Sequence, residues 1–292
     1  MLNTVSKYSA FTTNAIKEKY AYRFKALMWS MSTLFNMLIQ YFLWQSIYKE
    51  VNGEFMGIDK ESYLLYITFG VVFYNLTSCM ENMNIAEDIK SGNISMNLLK
   101  PINYKIMVLF RHIGSKIGEV IGLIPLFIIA ILLAGNINFN FERICLFLMS
   151  MILAFFIVFL FSYIMGMLTF WTTNYWGIQF LTNALTGLFS GQLVAINFYI
   201  ELGKGSSILN STLTFLHTKG FISFFQVLGI MAYCLPFQSM YYTPMSILSG
   251  IISGPKSIFF HIMLQVFWIF ILSIIVNIMW KAAQKKITIL GG

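Results

Sequence analysis

Six stretches of this chain, 26–48, 62–80, 117–134, 144–170, 177–199 and 258–280, are predominantly apolar. Each has the length, roughly 18 to 25 residues, that a helix requires to cross a bilayer core. Inside that core every backbone N–H and C=O must be satisfied by the element itself, which only a helix or a closed barrel achieves. The two-residue alternation of barrel strands is missing from these runs. The pattern therefore predicts an all-α membrane protein with six transmembrane helices.

Two further segments carry a pattern of their own. Before the first span, Val5, Tyr8, Phe11, Ala15, Ile16 and Tyr22 recur at helical spacing, while Lys7, Asn14, Lys17 and Glu18 lie mostly elsewhere on the wheel. This predicts an N-terminal amphipathic interfacial helix over 1–25, lying in the cytoplasmic membrane surface. The segment 221–253 is apolar enough for a seventh crossing, but Pro236 and Pro244 interrupt it, with Gln238, Ser239 and Thr243 between them. It predicts re-entrant external helices that dip into the outer leaflet and return before the last span. Trp29, Trp171, Trp176 and Trp280 fall near the inner boundary and Trp44 near the outer one, as interfacial anchoring expects.

Composition narrows the class. The hydrophobic fraction is 58% and the charged fraction 10%, against about 45–50% and about 25% in soluble domains. One transmembrane domain over 1–292 uses nearly the whole length and leaves no room for a soluble catalytic domain. The net charge of +8 is distributed, not uniform. With both termini cytoplasmic, the inner loops and ends hold 13 basic and five acidic residues, and the outer loops hold six of each. The whole excess lies on one side, which is the positive-inside bias of a multi-pass cell-membrane protein and no signature of nucleic-acid binding. Cys79, Cys145 and Cys234 are unclustered and set in apolar surroundings, so neither a disulfide framework nor a metal site is indicated.

The connection 81–104 is more structured than a plain loop requires. Glu87, Asp88, Ile89, Lys90, Ser91, Gly92, Asn93 and Ile94 predict a short charged helix with a small apolar surface, stopped at or soon after Gly92, and Pro101 starts the next helix. Its functional reading is a docking element for a cytoplasmic partner. In the fifth span Gln179, Asn183, Thr186 and Ser190 share one face, with Gly187 and Gly191 beside it in a small-xxx-small arrangement. Polar groups against lipid are costly, so that face meets a transport pathway, a dimer interface or another helix. Gly114, Gly118 and Gly122 repeat the same spacing and read as a packing surface. Glu119 lies three residues after Lys116 and near Arg111, where a local ion pair accounts for it.

Ala-Glu-Asp-Ile-Lys-Ser-Gly from Ala86 to Gly92, followed by Leu-Leu-Lys-Pro-Ile from Leu98 to Ile102, resembles the pattern of type-2 ATP-binding-cassette exporter permeases. Phe189-Ser190-Gly191, Leu235-Pro236-Phe237 with Tyr242 and Pro244, and the tail from Lys285-Lys286 to Gly291-Gly292 are similar to the same group in the same order. Ala195 and Ile196 depart from it where a proline is expected. The resemblance implies that Glu87 to Ile94 forms the short cytoplasmic coupling helix, fitting a groove on a separate ATPase subunit. It implies an external gate at Pro236, Phe237, Tyr242 and Pro244. It further implies a second permease half, as homodimer or paralogous heterodimer, with membrane lipids around it and ATP and Mg held by the partner ATPase. No cofactor is expected on this chain. Gly203-Lys204-Gly205-Ser206 is the nearest approach to a phosphate loop, and Phe198 stands where its leading glycine belongs.

Two other classes compete. A secondary transporter calls for an intramembrane carboxylate or a helix broken at the midplane, for which Glu119 is the only acid available. An intramembrane enzyme calls for a Ser/His/Asp, His-rich or paired-carboxylate constellation, which the sequence lacks. The spans hold many Phe, Tyr and Met side chains and almost no charge, which favours an amphipathic or hydrophobic cargo: a drug, toxin, peptide or lipid-like molecule.

Overall fold

A computed structural model of the chain describes residues 2–51, 54–55, 57–135, 140–172, 175–203 and 219–290. Helix α1 (Leu2–Ala21) runs into α2 (Arg23–Glu50) through a single non-helical residue, Tyr22, at φ −100 and ψ 40. A two-residue antiparallel hairpin follows, Glu54–Phe55 with Ile58–Asp59, its turn using Gly57 at φ 74. Asp59 then caps α3 (Lys60–Thr77) by accepting from the Ser62 N–H at 2.9 Å. Most residues of α3 from Tyr63 to Phe73 are buried all round, so it is the central helix, packed by α2 and by α6 (Tyr104–Ala134).

Between them lie α4 (Glu81–Lys90) and α5 (Asn93–Leu99). Helix α7 (Phe141–Met167), capped by Asn140, ends in a 3-10 turn over Leu168–Phe170. Then come α8 (Tyr175–Phe189), α9 (Ile196–Gly203), α10 (Lys219–Cys234), a 3-10 turn over Pro236–Met240, α11 (Tyr242–Ser249) and α12 (Pro255–Leu290). At 36 residues, α12 extends about 54 Å, well beyond the ~30 Å hydrocarbon layer. It packs along α7.

Among the described residues four helical stretches are both long and apolar enough to cross a membrane: Lys60–Lys90, Tyr104–Ala134, Phe141–Phe170 and Pro255–Lys286. The other two expected spans differ for separate reasons. Helix α2 has the length but is diluted by Ser30, Ser32, Thr33, Asn36 and Gln40. The fifth is not one helix. It breaks after Phe189 and resumes at Ile196, because Gly191 sits at φ 84, a left-handed conformation that ends a helix.

The N-terminal helix forms where expected and packs on α6, with Tyr8 and Ala15 of its apolar face buried. Thr12 Oγ1 donates to the Phe110 carbonyl at 3.0 Å, and Tyr8 Oη accepts from the Asn103 N–H at 2.8 Å. Close approach depends on the glycine row of α6. A Cβ on Gly114 would meet the Thr12 backbone, one on Gly118 would meet Lys19 at 2.9 Å, and one on Gly122 would meet Ser30 at 3.2 Å. Trp44 is buried against Tyr63 at 4.5 Å and Phe198 at 5.4 Å.

Candidate functional site

The loop between α3 and α6 folds into two helices, not the single one expected over 87–94. Helix α4 begins at Glu81, and its inner face is clamped to the bundle. Ser162 Oγ accepts from the Asn82 N–H at 3.1 Å. Gly166 of α7 lets α4 approach so closely that an added Cβ would lie 3.0 Å from Asn82 and Ile85. Glu81, only 3% exposed, meets Arg111 of α6 at 2.7 Å, and Asp88 lies 3.8 Å from the same guanidinium while accepting from Tyr104 Oη at 2.8 Å. Such a partly buried pair is fixed by position, since neither charge has a cheap alternative in low dielectric.

The opposite face is open. Glu87, Lys90, Ser91, Gly92 and Asn93 are exposed, whereas Asp88 and Ile89 are half-buried and Ile94 is buried. Three of the eight expected docking residues thus face inward, because a helix at 100° per residue cannot present consecutive side chains to one partner. Gly92 at φ 75 separates α4 from α5. On α5, Met96 is 66% and Leu99 83% exposed, beside the exposed Lys100. Sequence reading missed this apolar ridge, although its three-residue spacing was legible.

The polar face of the fifth span divides along its length. Gln179 Oε1 accepts from Asn82 Nδ2 at 2.6 Å and from Tyr175 Oη at 3.0 Å, which ties the foot of α8 to α4 within the same chain. Gln179 Nε2 donates to Asn183 Oδ1 at 3.0 Å, and Asn183 itself is exposed. Thr186 Oγ1 donates back to the Thr182 carbonyl at 2.8 Å. Ser190 and Gly191 leave the stripe entirely. They form the break, buried against Tyr66 and Tyr242, so Gly187 and Gly191 make no small-xxx-small helix surface.

That break meets the 3-10 turn over Pro236–Met240 and the start of α11. Tyr66 Oη donates to the Gly191 carbonyl at 2.6 Å, and the Tyr242 N–H to the Ser190 carbonyl at 2.9 Å. Tyr242 Oη donates to Asn197 Oδ1. Pro236, Phe237, Tyr242 and Pro244 are all buried, with Phe237 edge-on to Phe161 at 5.2 Å and stacked on Phe189 at 6.0 Å. Gln265 Nε2 of α12 donates to the Ser239 carbonyl at 2.9 Å and to the Ser150 carbonyl at 3.1 Å.

A half-open cavity of about 160 Å³ lies between α2, α3 and the break, with Tyr241 at its floor. Trp29, Thr33, Asn36 and Gln40 reach it from α2, Tyr74 and Asn75 from α3, and Gln192 from the break. Trp29 Nε1 donates to Asn75 Oδ1 at 3.0 Å. Among the described residues no cluster of three His, Cys, Asp or Glu side chains comes together.

No curated protein and no solved structure matches the sequence. The profile described as ABC-2 family transporter protein matches residues 34–204, more than half of the chain, from the middle of α2 through the end of α9. With its apolar helices and this match, the multi-pass membrane chain belongs to the ABC-2 family of transporter proteins.

Proposed function

We propose that the chain is the membrane-spanning permease of an ATP-driven exporter, forming one transmembrane domain with six crossings, both termini cytoplasmic and 221–253 re-entrant from outside. The observation that carries the reading is the α4–α5 elbow. One face is locked to α6 through Glu81, Arg111 and Asp88 and to α7 through Asn82, and the other presents Glu87, Lys90, Met96 and Leu99. A push on that outer face by a closing ATPase is passed to α6 and α7, since the anchoring pairs leave the elbow little freedom of its own. ATP and Mg belong to the ATPase subunit, and a second permease, identical or paralogous, completes the pathway.

Within this reading Asn183 and Thr186 face the pathway or the second half, and Pro236, Phe237, Tyr242 and Pro244 form the external gate, where packed rings close the outer side. The cargo is an amphipathic or hydrophobic molecule. Ion coupling by a carboxylate finds no support at Glu119, which is held between Lys19 and Lys116 at 2.5 and 2.8 Å.

Co-expression with its nucleotide-binding subunit tests the proposal. Stimulated ATPase activity and export are expected with the native chain, and both fall at least tenfold with Glu87→Lys combined with Leu99→Asp, while expression and thermal stability of the permease persist. Stimulation unaffected by the double substitution overturns the docking assignment.

A further inference from the structure

The cavity between α2 and α3 has been given no role of its own, although Tyr241 of the 221–253 segment lines it, and its lining is chemically selective. On α2, Ser32, Asn36 and Gln40 stand one turn apart, and Asn36 is the fourteenth of 28 residues, so the row occupies the middle of the helix. Ser32 and Asn36 are exposed on the single chain, a placement that is expensive against lipid. Gln40 Nε2 donates to Asn36 Oδ1 at 2.8 Å, and among the described residues no side chain of this protein bonds Asn36 Nδ2 or Gln40 Oε1. One donor and one acceptor are therefore left facing outward from the same carboxamide pair.

No ionised side chain lines the cavity among the described residues. A phosphate, carboxylate or ammonium entering it would lose hydration without gaining a counter-charge, which is strongly unfavourable. Carboxamides and hydroxyls, by contrast, both donate and accept, and Trp29 and Tyr74 add flat ring surfaces at the rim. The cavity, of about 160 Å³, is half-open, so a substituted ring can enter it in part while the rest of the molecule stays outside. We propose that this cavity binds the uncharged, hydroxyl-bearing ring of an amphipathic cargo, a glycosyl head group, with Asn36 and Gln40 as the paired hydrogen-bonding residues and the apolar tail lying along the exposed face of α2. The assignment rests on the exporter reading for its role, though not for the binding itself.

The full-length protein in lipid nanodiscs tests it directly, with tritiated decyl glucoside, decyl phosphocholine and decyl sulfate below their micelle concentrations. Saturable binding of the glucoside, at least about tenfold tighter than either charged amphiphile, is expected. Asn36→Leu and Gln40→Leu each weaken it by about tenfold, the size of one lost hydrogen bond, and Asn36→Gln restores most of it. Equal binding of the three heads, or glucoside binding unchanged in both leucine variants, overturns the proposal. So does efficient disulfide trapping of Asn36→Cys to its own counterpart in a form that no longer admits glucoside, because the second copy then fills the cavity. Failure of the exporter reading registers separately, as lack of ATPase stimulation with glucoside binding intact.

Discussion

Arg111 shows how much a single side chain can decide in this fold. It faces Glu81 at 2.7 Å and Asp88 at 3.8 Å, and Glu81 has almost no solvent contact. Removing one partner of such a pair leaves an uncompensated charge at a cost of about 3–5 kcal/mol, whereas replacing both with apolar residues is close to neutral. Arg111→Leu should therefore lower the thermal unfolding midpoint sharply and free α4 from α6, and Glu81→Leu added to it should recover most of the loss. A midpoint unchanged by Arg111→Leu in a thermal-shift assay would sink this account. None of it was visible in the sequence. Arg111 reads there as a neighbour of Glu119, but the helix turns it away, and Glu119 is met by Lys116, the local partner expected, and also by Lys19, one hundred residues distant.

At the scale of elements, the sequence announced most helices and misjudged where two of them stop. Lengths and hydrophobic runs made α3, α6, α7 and α12 legible because a bilayer sets their length. The break at 190–195 was hidden by its own apolarity, since Leu193, Val194 and Ala195 continue the run and no proline marks the change. The α4–α5 elbow had a usable signal in Gly92, but the charges around it do not reveal that Asp88 faces inward. Gly92 has φ 75 with nothing within 4 Å of an added Cβ, so a substitution there meets strain and no clash. Gly92→Val should cost about 1–2 kcal/mol locally and reduce ATPase stimulation with the bundle's melting point unmoved. Gly92→Asn, which tolerates the left-handed region, should retain stimulation. If both variants stimulate like the native chain, the elbow's shape is not what the ATPase reads.

For the molecule as a whole, charge distribution and packing must agree on orientation. The basic excess predicts that Asn93 and the tail lie inside, and the aromatic cluster of Trp44, Tyr63 and Phe198 then marks the outer end of the bundle. Single cysteines on a background lacking Cys79, Cys145 and Cys234 decide this. Asn93→Cys and Ala282→Cys should resist an impermeant thiol reagent in intact cells, and Asp59→Cys and Asn140→Cys should react. A reactive Ala282→Cys would invert the last crossing and make 221–253 a full span. The polar row of α2 belongs to this scale as well. Its spacing was open to reading, but only the packed chain shows that it opens onto a cavity shared with α3.

The seating of α1 on α6 also sets an order of events during synthesis. The carbonyl to which the Thr12 hydroxyl donates, that of Phe110, comes 98 residues later. At about 5–20 residues per second, the ribosome takes roughly 5 to 20 seconds to deliver it. Throughout that interval α6 is not there to cover the buried face of α1, and the amphipathic pattern of the nascent helix favours the lipid headgroups as its first partner. Chains stalled before α6 should accordingly cross-link from Tyr8 to a headgroup-labelled photoreactive lipid, and chains released after α6 should not. Equal cross-linking at both lengths would mean that α1 never exchanges one partner for the other.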